Sequence, residues 1–61
     1  MTTAYYVEAI VADSDGVEHR GRWLIRALST VDACRELIHR LAANECHVLY
    51  YTQIKPRSLK P

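Results

Sequence analysis

Residues 18 to 28 read Glu18-His19-Arg20-Gly21-Arg22-Trp23-Leu24-Ile25-Arg26-Ala27-Leu28 and alternate with a period of two. Arg20, Arg22, Leu24 and Arg26 fall on one side; Gly21, Trp23, Ile25 and Ala27 fall on the other. Successive strand side chains point to opposite faces, so this segment is a strand with one wet and one buried face. Three arginines cannot be buried without partners, which makes the Trp23 side the core side. A chain with such a strand must build a one-sided sheet and cover the Trp23 face.

The flanking segments supply the rest. Residues 4 to 12, Ala4 to Ala12, are rich in Tyr, Val and Ile with one charge, Glu8, and predict a strand apolar enough to be central. Asp13-Ser14-Asp15-Gly16 is turn chemistry and joins the two strands as a hairpin. It also resembles the start of a calcium loop, but the later oxygen ligands and the closing Glu are missing. Ser29 and Asp32 have capping-box spacing, with Thr30 as a second N-cap candidate. Val31, Cys34, Leu37, Ile38, Leu41 and Ala42 then recur as an apolar helical stripe. The helix should end near Ala43 to Asn44, with Asn44 as a left-handed cap. A third strand is expected over 47 to 55, with Val48, Tyr50, Thr52 and Ile54 toward the core and Leu49, Tyr51, Gln53 and Lys55 away from it. Pro56 should end that strand, since proline cannot donate to the ladder.

The element order is strand, strand, helix, strand. A hairpin followed by a helical crossover predicts an α+β fold: a three-stranded antiparallel sheet of order 2-1-3, in β-β-α-β topology, with one helix packed on one face. Residues 1–55 form a single domain and 56–61 a short basic tail. With 61 residues there is no further element to cover the second face. A chain this short buries only about 60% of its unfolded surface, so its margin of stability is thin. The longest apolar runs are far below the ~20 residues a membrane span needs. Met1 to Ala4 lacks the basic, then apolar, start of a signal peptide. Two cysteines, Cys34 and Cys46, are too few for a disulfide-built secreted fold and are expected reduced. The expected location is cytoplasmic.

The residues offer little for catalysis. Cys34 lies in the apolar stripe, and Cys46 and His47 would point to opposite sides of a strand. There is no nucleophile elbow, phosphate-cradling glycine loop or paired-carboxylate motif. His19, His39, His47, Cys34 and Cys46 show no zinc-type spacing. No enzyme, metal or cofactor is expected. The uncovered sheet face is the informative feature. Alternation places Arg22, Leu24, Arg26, Leu49, Tyr51, Gln53 and Lys55 there, joined by either Tyr6 and Glu8 or Tyr5 and Val7. Arg and Tyr are enriched at binding hot spots, and exposed Leu marks an apolar patch. Acids fill residues 1 to 18 and bases residues 19 to 28 and 46 to 61, so the net charge of +1 conceals a basic surface. That surface suits an acidic protein partner. It would also serve direct nucleic-acid binding, or be covered in a homodimer.

Size, element order, the Ala27-Leu28-Ser29-Thr30-Val31-Asp32-Ala33 lead-in and a last strand closing on Thr52-Gln53-Ile54-Lys55-Pro56 resemble the small phage inhibitors of bacterial RNA polymerase. Residues 5 to 56 carry the resemblance. It implies that two positions of the last strand, Gln53 and Lys55 here, contact the polymerase; Gln53 stands where that family has a base. Small phage anti-CRISPR proteins are similar in size and strand order. Both groups imply a phage or mobile-element protein that binds a host complex, RNA polymerase or a CRISPR effector, in the bacterial cytoplasm and blocks it.

Overall fold

The structure is a computed structural model and describes residues 2–57. Strand β1 spans Thr3–Ala12, β2 Glu18–Ala27, helix α1 Thr30–Ala42 and β3 His47–Arg57. The sheet is antiparallel throughout, in order β2-β1-β3, so the most apolar strand is central. The α+β, β-β-α-β architecture read from the sequence is the one observed. No helix among the described residues is long and apolar enough to cross a membrane.

The hairpin closes on Asp13. Its carboxylate accepts from the Asp15 N–H (2.9 Å) and the Val17 N–H (3.0 Å), and its other oxygen meets His19 Nε2 at 3.0 Å. Gly16, at φ +80, supplies the left-handed residue the turn requires. The His19 contact and these backbone donors hold the Asp13 carboxyl below its ordinary pKa.

Ser29 is the N-cap. Its hydroxyl accepts from the Asp32 N–H at 3.2 Å, an interaction typically worth about 1 kcal/mol. The helix ends differently from expectation. The left-handed residue is Glu45 (φ 58), not Asn44. The Cys46 N–H reaches Leu41 O (2.9 Å) and the Glu45 N–H reaches Ala42 O (3.0 Å). This pair is a Schellman motif, which places the left-handed position one residue later.

The core lies between α1 and the face of the sheet carrying Tyr5, Val7, Ala9, Val11, Ile25 and Ala27. From the helix it takes Ala33, Leu37 and Leu41. Three members of the expected stripe, Val31, Ile38 and Ala42, are instead exposed, the first two by 64% and 52%. The helix is rolled so that Ala33, Leu37 and Leu41, at i, i+4 and i+8, meet the sheet. Small Ala33 permits the close approach, and Cys34 sits half-buried at the margin. Both thiols are free.

One spot in the core is tight. The Trp23 ring lies over Gly21, two residues back on the same face, where a Cβ would overlap ring atoms Cη2 and Cζ2. Gly21 therefore serves as a seat for the indole rather than as a flexible point.

Strand β3 departs from simple alternation. Val7 faces Ile54 and Glu8 faces Gln53, but Ala9 faces Tyr51 and Thr52 is passed over. Ile10 then faces Tyr50, Val11 faces Val48, and Leu49 is passed over. Each extra residue flips the parity of its neighbours further along the strand. Tyr51 consequently packs against the core, correcting its expected place on the open face. Tyr50 and Thr52, expected inside, are exposed; Tyr50 is 57% so. Leu49 is an unpaired bulge residue rather than part of a regular row. The bulge brings a large apolar ring inward where regular pairing would bury the Thr52 hydroxyl. Thr52 Oγ1 instead donates to Glu8 O across the strands at 3.0 Å.

The strand also continues past Pro56, contrary to expectation: Pro56 pairs with Tyr5 and Arg57 with Ala4. β3 is an edge strand, where a residue without an N–H is tolerated if that position faces outward. Arg57 thus belongs to the sheet. The remainder of the expected tail, 58–61, lies outside the described residues.

Candidate functional site

The face of the sheet away from α1 is built from five cross-strand rows. They are Arg26–Ala4–Arg57, Leu24–Tyr6–Lys55, Arg22–Glu8–Gln53, Arg20–Ile10–Tyr50 and Glu18–Ala12–His47. The open choice for β1 resolves to Tyr6 and Glu8; Tyr5 and Val7 are in the core. Of the expected binding residues, the structure gathers Arg22, Leu24, Arg26, Gln53 and Lys55 on this face. It turns Tyr51 away and leaves Leu49 at a bulge, 42% exposed.

Charge on this face is one-sided. Arg20, Arg22, Arg26, Lys55 and Arg57 face two carboxylates, Glu8 and Glu18. A net charge of +1 for the whole chain thus includes a clearly cationic sheet face. Glu8 lies near its centre, with a side chain 15% exposed. Tyr6 Oη donates to Glu8 Oε1 at 2.9 Å. Arg20 Nε and Arg22 Nε each stand 3.7 Å from a Glu8 oxygen. The Tyr6 hydrogen bond holds the Glu8 carboxyl below the ordinary glutamate value, with the two guanidinium charges adding to the effect. The same bond pushes the Tyr6 phenol up.

Both arginine contacts are too long for charge-assisted hydrogen bonds, and the side chains are 62% and 67% exposed. Exposed pairs of this kind are weak, so the guanidinium groups keep most of their capacity for a partner. Arg26, Lys55 and Arg57 have no carboxylate partner among the described residues. The Lys55 ammonium lies 5.8 Å from the centre of the Tyr6 ring, a cation–π contact that props the side chain over the sheet. Tyr6, Gln53, Lys55, Pro56 and Arg57 line an open concavity of about 550 Å³ at the end of β3.

Apolar surface is interleaved with the charge. Leu24 is 52% exposed and Tyr50 stands out on the same face. Sequence reasoning missed Tyr50, Arg20 and Arg57 as site residues. Arg20 shared the parity of Arg22 and could have been included; Tyr50 was hidden by the bulges and Arg57 by the apparent stop at Pro56.

Tyr51 marks the contrast behind the sheet. Burial pushes its phenol up to about 12, with the Cys34 thiol adding to the shift. Its hydroxyl is enclosed and meets no hydrogen-bond partner among the described residues.

Comparison with protein-family models, with curated proteins and with solved structures returned no match.

Proposed function

We propose that this chain is a non-enzymatic binding protein that docks the open face of its sheet on an acidic protein surface. One observation carries the reading. Five cations stand against two carboxylates on a face that no element among the described residues covers, with Leu24 and Tyr50 exposed between them. The cationic groups pair with acidic side chains of the partner and set its orientation. Tyr50, standing on the open face where alternation had placed Tyr51, serves as the anchoring ring. The resemblance of residues 5 to 56 to small phage inhibitors supports the partner class: a bacterial RNA polymerase or a CRISPR effector, occupied and blocked in the host cytoplasm.

The test is binding to purified polymerase and purified CRISPR effector, free of nucleic acid. Arg22→Glu and Lys55→Glu should each abolish binding while circular dichroism stays unchanged. Normal binding by both variants would rule out this face as the contact. The exposed Tyr50 ring, in one cross-strand row with Arg20 across Ile10, also suits base stacking on single-stranded nucleic acid. That second reading requires affinity for an oligonucleotide that falls steeply with salt.

A further inference from the structure

The sheet has two free edges, and they are unlike. β3 carries two bulges and Pro56, features that interrupt pairing on an outer edge. β2 runs ten residues, Glu18–Ala27, in unbroken register with β1 and contains no proline. Among the described residues no hydrogen bond from outside the sheet reaches the β2 backbone. Every second residue of an antiparallel edge strand turns its N–H and C=O outward, so β2 presents a regular unpaired ladder.

The side chains of that edge indicate its occupant. An added strand would lie beside Arg20, Arg22 and Arg26 on the open face, where directly opposed charges are felt most strongly. A second copy of β2 fits poorly. The outward groups of two copies share one parity, so residues of like parity must face each other. Every such antiparallel register that pairs seven or more residues sets arginine directly against arginine: Arg22 on Arg22, Arg20 on Arg26, Arg20 on Arg22 or Arg22 on Arg26; the first of these alone offsets the repulsion, by setting Glu18 opposite Arg26 in both directions. A strand with acids at alternate positions fits each time.

We infer that the outer edge of β2 takes up an extended acidic segment of the partner as a fourth strand, its alternate carboxylates opposite Arg20, Arg22 and Arg26. This rests on the proposed function and gives its mode: β-strand addition, with main-chain bonds for affinity and the arginines for selection. The strand extends the sheet on the side away from β3.

The probe is a ten-residue peptide of alternating Glu and Val, titrated into the full chain and followed by amide hydrogen exchange. Protection should appear at alternate β2 amides. Replacing Glu by Lys in the peptide should weaken binding about tenfold or more, as three opposed charge pairs imply. Arg20→Gln with Arg26→Gln should reduce affinity in the same direction. Two further peptides carry N-methyl groups on one or the other alternate set of residues. One of them must lose binding at least tenfold. Undiminished binding by both shows that charge alone is recognised; it overturns the added strand and leaves the face reading standing. Protection confined to β3, or no binding by the acidic peptide, also overturns the inference. The face reading is then decided independently by Lys55→Glu, because Lys55 lies on the opposite strand.

Discussion

The two outer strands flank the same central strand and treat it differently. β2 matches β1 residue for residue over ten pairs, and its charges all fall on one side. β3 matches β1 at both ends but slips by one residue at Thr52 and again at Leu49. Regularity leaves β2 with a clean apolar side and an edge open to pairing. Irregularity gives β3 a better-filled core and an edge that resists pairing. In this small sheet, packing quality and edge protection come from the same two extra residues.

Four substitutions sharpen that contrast. The largest effect belongs to the neighbouring tyrosines of β3. Tyr51→Ala should cost about 3 kcal/mol, because it empties part of the core. Tyr50→Ala should shift stability by less than about 0.5 kcal/mol, as for an exposed side chain. Denaturant titration reads both, and comparable losses would mean that the bulge at Thr52 is absent in solution. Next is Gly21→Ala on β2. The new methyl group meets the Trp23 ring, and overpacking of this kind costs about 1–3 kcal/mol. Tryptophan emission should move to longer wavelength as the ring is pushed outward; an unchanged spectrum would argue against the ring lying over Gly21.

The smallest effect joins the two sides through Glu8. Its carboxyl is held below 4.5, the ordinary glutamate value, so its contribution to stability is complete above that pH. The contribution is lost as the pH falls through the lowered folded value. The stability gap between wild type and Glu8→Gln should therefore narrow toward acid. A gap that stays constant from about pH 7 to about pH 3 would show that Glu8 gains nothing from Tyr6 and the arginines.

The sequence carried the architecture because the hairpin and the helix announce themselves locally. Alternation over 18 to 28, the Asp13–Gly16 turn and the Ser29 cap all depend on neighbours in the chain, and all are observed. The site was legible where it rests on β2. On β3 the facing of Val48 and Ile54 was read correctly, the middle was reversed, and the strand runs on to Arg57. Two bulges in succession restore the parity at Val48 and Ile54 that the first had broken at Tyr50 and Tyr51. Val-Leu-Tyr-Tyr-Thr has no turn residue or glycine to mark a bulge, and only packing against Ala9 and α1 selects it. The roll of α1 was hidden for a similar reason. Val31 and Ile38 are as apolar as Leu37, and the small size of Ala33 decides which stripe approaches the sheet.

The central position of β1 also bears on how the molecule assembles. Its pairing with β2 spans one short turn, so that half of the sheet can form from local contacts within microseconds. Its pairing with β3 joins residues as far apart as Ala4 and Arg57, 53 positions along the chain. Closing so long a loop draws on chain entropy before any core contact repays it. Docking of β3 is then expected to be the slower step, and until it occurs the apolar flank of β1 has no neighbour on that side.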